Sequence, residues 1–364
     1  MTLRLSTAGE SHGPALVGIV SGLPAGLVLD REAIDADLAR RQQGYGRSPR
    51  QQLEQDRVEV LAGLRHGRTL GTPLALVVRN LDHANWEWGM SPWPPDGKPE
   101  GKGAKPVTLP RPGHADLPGW MKFGLDDTRD ALERASARQT AVTVAAGAVA
   151  KALLGEIGIQ VRGEAKAEAG ADEAAVDEAR GQRDTLGGVV EVRAQGVPPG
   201  LGSYATKEER LDAHLATTLM GTQAVKAVEI GAGAELAGLR GSEAHDEIFR
   251  DEERGIYRET NRAGGIEGGV SNGEEIVVRA AMKPLPTLMR PLQSVDLDTG
   301  EPAEALVERS DVSAVEALAV VSEACVAFEL ARAAREKFGG DALGDFIAAH
   351  RAYLERIDWQ PRTR

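Results

Sequence analysis

The chain has 364 residues, which is enough for one large domain or two of ordinary size. Its net charge of −12 argues against a nucleic-acid-binding protein, because such proteins usually carry a basic surplus. Aromatic residues make up only 4%, so the core is predicted to consist of Ala, Val, Leu and Ile. A single cysteine, Cys325, excludes an internal disulfide and favours a reduced, cytoplasmic setting.

A membrane or secretory protein is not indicated either. No stretch approaches the roughly 18 uninterrupted apolar residues of a membrane span. Polar residues at 10–12 interrupt the place where a signal peptide would be continuously apolar. We therefore expect a cytoplasmic protein with no membrane or nucleic-acid partner.

The first elements are two short strands around a glycine-flanked turn at 8–13, the second strand covering 15–23. Residues 30–41 have the apolar spacing of a helix and begin with an aspartate that can cap it. Two further β-rich stretches follow at 58–64 and 72–79. This part of the chain therefore predicts a small sheet with one helix.

A long irregular region at 82–119 is dense in Trp, Pro, Gly and Lys. Loops of this length without periodicity are usually functional or disordered, and the tryptophans and a terminal histidine favour a functional loop. The clearest helix is predicted over 127–155, whose small residues favour close packing at the centre of the fold. Strands are then predicted at 157–163, 188–194, 224–231 and 275–282, and helices within 164–182 and at 206–220, 312–338 and 341–356.

An internal similarity suggests two related halves. Residues 22–39 (GLPAGLVLDREAIDADLA) resemble 196–216 (GVPPGLGSYATKEERLDAHLA) with a three-residue insertion, and each stretch lies between a strand-like run and a helix. A chance recurrence of a strand–turn–helix unit is the alternative. We predict a single α+β domain of sheets and helices in layers, a β-α-β sandwich over 1–364, with pseudo-duplicated halves that meet near 160.

Two histidines lie in turns suited to proton transfer. His12 follows a predicted strand in Gly9-Glu10-Ser11-His12-Gly13, and an unperturbed imidazole titrates near neutral pH. His114 follows the long loop, in a segment that Pro112 and Gly113 stiffen. Each histidine alone could simply hydrogen-bond its own turn. Neither has the spacing of a metal ligand, so no metal site is predicted.

Arginines are concentrated in a chain that is otherwise acidic. Arg41, Arg47 and Arg50 surround glycines that interrupt a helix, and planar guanidinium groups suit carboxylates and phosphates. This pattern favours a small polyanionic ligand over a solvated helix face. Arg134 and Arg138 lie on the small-residue helix, where burial requires an anion, a polar cofactor or an ion pair with a neighbouring acidic residue.

Three further motifs follow towards the end of the chain. Five glycines in 264–273 allow backbone N–H groups to approach a ligand closely, but a strand follows them, which argues against a dinucleotide-binding turn. Residues 283–287 (KPLPT) place a lysine and a threonine on a proline-stiffened strand exit. In 309–311 (RSD), Ser310 or Asp311 could serve only as a helix N-cap.

Taken in order, these motifs closely resemble the chorismate synthase family. The resemblance rests on GESHGPALVGIVSGLPAG (9–26), RASARQTAVTVAAGAVA (134–150) and RSDVSAVEALAVVSEACV (309–326), and also on RRQQGYGR, RPGHAD, RGSEAHDEI, the glycine run and KPLPT. It covers nearly the whole chain. The departure lies in KPLPT, where many relatives carry small hydroxyl residues, although Thr287 remains available.

The resemblance implies a reaction and a site. Family members eliminate phosphate from 5-enolpyruvylshikimate 3-phosphate in an anti-1,4 sense to give chorismate, using reduced FMN without net redox change, and they are commonly homotetramers. It implies His12, His114 and Asp311 as catalytic residues and Arg41 and Arg47 as ligands of the substrate or of NADPH, and the arginine pattern adds Arg50 to these ligands. The implied flavin contacts are Arg134, Ala135, Ser136, Gln223, Ala224, Gly268, Lys283, Pro284, Leu285, Pro286, Thr287 and Arg309.

The roles that follow are hypotheses. His114 would protonate the departing phosphate, His12 the reduced flavin, and Asp311 would assist removal of the C6 hydrogen. One alternative is an FMN-dependent NADPH oxidoreductase (a flavin reductase), which the basic loop and glycine run would serve equally well. A non-enzymatic anion-binding protein is another, but it needs no pair of loop histidines. Self-reduction of the flavin with NADPH stays open.

Overall fold

The computed structural model describes residues 2–48, 55–252, 254–308 and 310–359. Strands and helices are mixed along these ranges. The strands, in chain order, are β1 (Arg4–Ala8), β2 (Ala15–Ser21), β3 (Ala25–Val28), β4 (Val58–Ala62), β5 (Leu64–Arg65), β6 (Arg68–Leu70), β7 (Leu74–Arg79), β8 (Gln160–Ala165), β9 (Gly188–Gln195), β10 (Val225–Ile230), β11 (Ile248–Asp251), β12 (Gly255–Arg258), β13 (Ile266–Glu267), β14 (Val270–Ser271), β15 (Ile276–Met282), β16 (Gln293–Val295) and β17 (Pro302–Glu304). The helices are α1 (Arg31–Gln42), α2 (Asp116–Phe123), α3 (Arg129–Ala135), α4 (Thr140–Gly155), α5 (Glu173–Gly181), α6 (Leu211–Met220), α7 (Gly241–Ala244), α8 (Val315–Phe338) and α9 (Leu343–Ile357).

Two antiparallel four-stranded sheets share one topology. The first has the order β1-β2-β7-β4 and the second β8-β9-β15-β10. In each sheet the second strand of the hairpin, β2 or β9, pairs with a later strand, β7 or β15. That strand also pairs with the edge strand, β4 or β10. In each half a Pro-Gly turn follows the hairpin and leads to a helix, α1 or α6. The predicted pseudo-duplication is therefore confirmed at the level of strand order.

The turns that follow β2 and β9 explain why the internal similarity begins with glycine. Gly22 and Gly196 both have positive φ, 89° and 73°, which L side chains rarely adopt. A Cβ on Gly22 would lie 2.5 Å from the Thr2 carbonyl oxygen, and one on Gly196 would lie 2.3 Å from that of Gly158. The same backbone turn thus excludes a side chain in both halves.

The long helices form a layer between the two sheets. Helix α4 packs on the first sheet, chiefly on β2 and β7, α8 packs on β8 and β9, and α4 and α8 pack on each other. Their approach depends on small residues: a Cβ on Gly147 would lie 2.3 Å from the Cβ of Ala324, and one on Gly163 would lie 2.3 Å from the Ala319 carbonyl oxygen. The α+β class and the layered β-α-β arrangement are confirmed.

A buried charge cluster joins this helical layer to α1. The Glu323 side chain on α8 is 1% exposed and lies 2.9 Å from Arg40 and 2.5 Å from Lys151. Burial by itself would raise the pKa of Glu323, but hydrogen bonds from Arg40, Lys151 and the Gly163 N–H outweigh burial and hold that pKa at about 2. The ionised carboxylate therefore ties α1, α4 and β8 to α8.

The predicted helix over 127–155 is wrong as one continuous element. It is divided into α3, a short 3-10 turn and α4, because Ser136 adopts an extended ψ of 142°. The Ser136 hydroxyl accepts a hydrogen bond from the Arg138 N–H at 3.3 Å, which offers the backbone an alternative to the helical ladder. Other predicted elements differ mainly at their ends; 206–220 is helical as a 3-10 turn and then α6.

The sequence assigned the capping of α1 to Asp30, and the structure agrees. The Asp30 carboxylate accepts a hydrogen bond from the Glu32 N–H at 2.9 Å.

Among the helices in the described part of the chain, none is long and apolar enough to cross a membrane.

Candidate active site

A cavity of about 390 Å³ lies where the loops of both halves converge. The first half contributes the turn after β1, the loop after α1 and the break between α3 and α4. The second half contributes 222–224, the exit of β15 and the residues that precede α8. One wall is apolar and is formed on α8 by Ala317, Leu318 and Val321. The remaining lining is rich in cations and imidazoles.

Most of the predicted site residues in the described ranges line this cavity. They are His12, Arg41, Arg47, His114, Ala135, Ser136, Gln223, Ala224, Lys283, Leu285, Pro286, Thr287 and Asp311. Arg134, Gly268 and Pro284 are described but do not line it. Arg50 and Arg309 lie outside the described residues.

His12 is held by a buried carboxylate. Its Nδ1 lies 2.8 Å from Glu133 Oε1, and its backbone N–H donates to Glu133 Oε2 at 2.8 Å. The Glu133 side chain is 1% exposed. A carboxylate at Nδ1 selects the tautomer that carries hydrogen there, which leaves Nε2 as the ring nitrogen for a ligand. His12 is thus arranged to give or take a proton at Nε2.

His114 has the same arrangement with different partners. Its Nδ1 lies 2.5 Å from Asp116 Oδ1, and the Asp116 side chain is fully buried. Burial alone would raise the pKa of Asp116, but hydrogen bonds from His114 and Arg111 bring it well below its usual range. Arg111 also donates to Thr287 Oγ1 at 2.9 Å and so links His114 to the KPLPT segment. His114 therefore also presents Nε2 as its unengaged ring nitrogen.

Two buried arginines share one carboxylate on another side of the cavity. Arg41 Nη2 and Arg138 Nη1 both lie 2.7 Å from Asp56 oxygens, and the Asp56 side chain is fully buried. Burial lowers the pKa of the Arg41 guanidinium, and the charge of Asp56 opposes that effect. Among the described residues, the buried Arg41 Nε has no hydrogen-bond partner. The guanidinium groups of Arg41 and Arg138, held at one carboxylate, have the geometry that suits an anionic ligand.

Asp311 is paired with the arginine loop. Arg47 Nη1 lies 2.8 Å from Asp311 Oδ2, and the Ser48 N–H donates to Asp311 Oδ1 at 2.6 Å. Burial lowers the pKa of the Arg47 guanidinium, with Asp311 and Glu316 opposing it. The interpretation of Asp311 as a helix N-cap is not supported, because α8 begins at Val315 with Ala314 preceding it. Asp311 instead fixes the loop after α1 at the mouth of the cavity.

The exit of β15 places a lysine beside the histidine loop. Lys283 Nζ donates to the Gly113 carbonyl oxygen, next to His114. Burial and, second, the charge of Lys226 lower the pKa of Lys283. The Lys283 N–H donates to the Ala224 carbonyl oxygen at 3.0 Å, which joins this exit to the 222–224 segment.

Arg134 and Gly268 occupy structural positions. Arg134 donates to the carbonyl oxygens of Thr7 and Gly9 at 3.1 Å each, and within the described ranges it neither lines the cavity nor pairs with an acidic side chain. Gly268 lies in the turn between β13 and β14. The glycine run serves close backbone packing: a Cβ on Gly264 would lie 2.3 Å from the Gly231 nitrogen. The nest expected from this run does not line the cavity.

Several lining or supporting residues escaped the sequence analysis as site residues. Arg111 and Arg138 belong to motifs that were noted, RPGHAD and the RASARQT segment, and for Arg138 the need of a buried arginine for an anion was the available signal. Asp56 had no such signal, and Glu133 was considered only as an ion-pair partner of the arginines on its own helix. Glu133 meets His12 across 121 residues of sequence, a separation that no local pattern reports.

Comparisons with known proteins agree with one another over the whole chain. The family model described as chorismate synthase matches residues 3–334. The chorismate synthases of Desulforudis audaxviator and Rubrobacter xylanophilus are each 52% identical to this chain, with 98% of both chains covered. A crystal structure of a chorismate synthase superimposes with a TM-score of 0.76 at 36% identity, covering 98% of each chain.

Proposed function

This chain belongs to the chorismate synthase family of lyases, and on that basis we propose that it eliminates phosphate from 5-enolpyruvylshikimate 3-phosphate with reduced FMN, without net redox change. The observation that carries the proposal is one cavity that holds two carboxylate-backed imidazoles together with buried arginines. The ring C3–O bond breaks with its electron pair leaving on phosphate, the C6–H bond breaks, and the ring gains a second double bond.

The cations account for binding of a substrate with two carboxylates and a phosphate. Arg41, Arg47 and Arg138 are fixed by Asp56 and Asp311, so their positions do not depend on the ligand. Preformed guanidinium groups orient carboxylates and phosphates at little entropic cost. Arg50, which the arginine pattern adds to this set, lies outside the described residues and is proposed from the sequence alone.

The remaining lining fits a flavin. Leu318 and Val321 offer an apolar wall of the kind that a planar ring system packs on, and Lys283 offers a cation. Ala135, Ser136, Gln223, Ala224, Leu285, Pro286 and Thr287 would complete its contacts, with Arg309 proposed by resemblance. Reduced FMN, when bound, supplies electron density that assists loss of phosphate and recovers it as the hydrogen departs.

The protein groups have separate proton roles. His114 Nε2 would donate a proton to the departing phosphate, because Asp116 holds Nδ1 and leaves Nε2 towards the ligand. His12 Nε2, backed by Glu133, would hold a proton for reduced FMN. Asp311 assists removal of the C6 hydrogen, and Arg47 holds its carboxylate in place. Closing such a cavity against water strengthens each of these interactions.

We further propose a cytoplasmic homotetramer, a single domain over 1–364 with halves that meet near 160, and a functional role for 82–119. NADPH as the reductant is also proposed by resemblance, with Arg41 and Arg47 as its ligands.

One anaerobic assay tests the proposed reaction. Chemically reduced FMN and the enolpyruvyl ester should give a diene absorbance and one phosphate per diene; no diene would refute the proposal. NADPH oxidation in excess of diene would instead indicate a flavin reductase.

A further inference from the structure

The long irregular loop brings an indole ring onto His12. Trp86 is 7% exposed, and its ring stacks on the His12 imidazole with centroids 4.0 Å apart and planes inclined by 21°. The same loop also reaches the backbone of that turn, where His83 Nδ1 lies 2.8 Å from the His12 carbonyl oxygen. The loop therefore contacts both the ring and the main chain of one proposed catalytic residue.

Other parts of the loop hold this indole in place. Trp86 Nε1 donates to Asp82 Oδ2 at 3.0 Å, and Lys102 Nζ lies 3.3 Å from Asp82 Oδ1. Gly103 covers the ring so closely that a Cβ there would lie 3.1 Å from Trp86 Cε3 and 3.0 Å from the Gly89 Cα. The loop is thus folded back on itself around Trp86, which accounts for Gly89 and Gly103.

Two partners restrain the imidazole in different ways. Glu133 engages Nδ1 and thereby selects the nitrogen that carries hydrogen. A hydrogen bond at one atom still permits the ring to rock about it, and the torsion that sets a histidine ring plane has a broad minimum. A face-to-face aromatic neighbour restrains that plane. The restraints are complementary.

We propose that Trp86 is a positioning residue that holds the His12 ring plane so that Nε2 faces the cavity. This proposal rests on the proposed function, because the proton transfer by His12 belongs to it. Trp86 does not line the cavity, so it acts through His12. The rate, rather than substrate binding, is then the quantity that depends on Trp86.

A double-mutant cycle tests this role. W86M fills the site with an apolar side chain but removes the ring, and it should lower kcat about 10- to 100-fold with KM nearly unchanged, since displacement of a catalytic group by about 1 Å costs about 10²-fold. In an H12A background the same substitution should have almost no effect. W86F should restore most of the rate. Equal losses in both backgrounds would refute the proposal.

A second measurement does not depend on activity. The ring protons of His12, assigned by comparison with H12N, should show an upfield ring-current shift in the wild-type NMR spectrum that W86M removes and W86F retains. Absence of that shift in the wild type would also overturn the proposal. W93L is the matched control, because Trp93 lies in the same loop and is 78% exposed; it should match the wild type throughout. If the wild type forms no diene, the proposed function is refuted. The ring-current measurement would still report whether Trp86 stacks on His12.

Discussion

Removing the Asp56 carboxylate should destabilise the protein strongly and in an anion-dependent way. Asp56 is fully buried between Arg41 and Arg138, at 2.7 Å from each. Without it, Arg41 loses the charge that offsets its burial, and the pKa of Arg41 is lowered first by burial and also by the charge of Arg138. The substitution D56A therefore turns a compensated cluster into like-charge repulsion.

The loss of stability in D56A depends on the hydrogen bonds that each arginine retains. Arg138 retains hydrogen bonds to Asn80 Oδ1 at 2.8 Å and to the Arg79 carbonyl oxygen at 3.2 Å. Within the described part of the chain, Arg41 retains only a longer contact of 3.4 Å to Thr140 Oγ1. One arginine thus loses its main partner, and loss of one partner of a buried ion pair costs about 3–5 kcal/mol.

Urea unfolding of the wild type and D56A, with and without inorganic phosphate, measures this effect. Phosphate should stabilise D56A more than the wild type, because the anion replaces the lost negative charge and binds only the folded chain. E59A is the control, since Glu59 pairs with Arg79 at the surface, where ion pairs contribute little. An unfolding free energy of D56A within about 1 kcal/mol of the wild type would refute the reasoning.

Three further outcomes are expected. H12A and H114A should each lower kcat about 10²- to 10⁴-fold with little change in KM, measured by diene formation, and near-wild-type turnover in both would contradict their roles. The pKa of Glu323 is lowered from 4.5 to about 2, so the stability that its carboxylate contributes is complete above pH 4.5 and is lost as pH falls towards 2. In urea titrations, E323Q should therefore be less stable than the wild type at pH 7. It should also lose less stability than the wild type between pH 4.5 and pH 2. Burial and the charge of Lys226 lower the pKa of Lys283, so FMN binding should weaken as the pH rises, already below pH 10.5. K226A should move this loss of FMN affinity to higher pH. If calorimetry shows the same pH dependence of FMN binding in K226A and the wild type, Lys226 does not act on Lys283 in this way.

Local patterns were sufficient for many parts of this molecule. Periodicity, turn residues and the Asp30 cap indicated the main helices and strands, because these depend on neighbours a few residues away. The similarity of 22–39 to 196–216 predicted two related halves, and the equal strand orders of the two sheets confirm it. Motifs in order also identified the family, since each motif is local even though the site is not.

The tertiary structure decided how the site is supported. The partnerships of His12 with Glu133 and of Arg47 with Asp311 join segments that only the packing of both sheets on α4 and α8 brings together. The residues around Ser136 favour a continuous helix, but the Ser136 hydroxyl accepts a hydrogen bond from the Arg138 N–H and the helix is interrupted there. The sequence thus determined which side chains are available for chemistry. Long-range packing determined which carboxylate each cation or imidazole meets, because burial and charge depend on neighbours in space rather than along the chain.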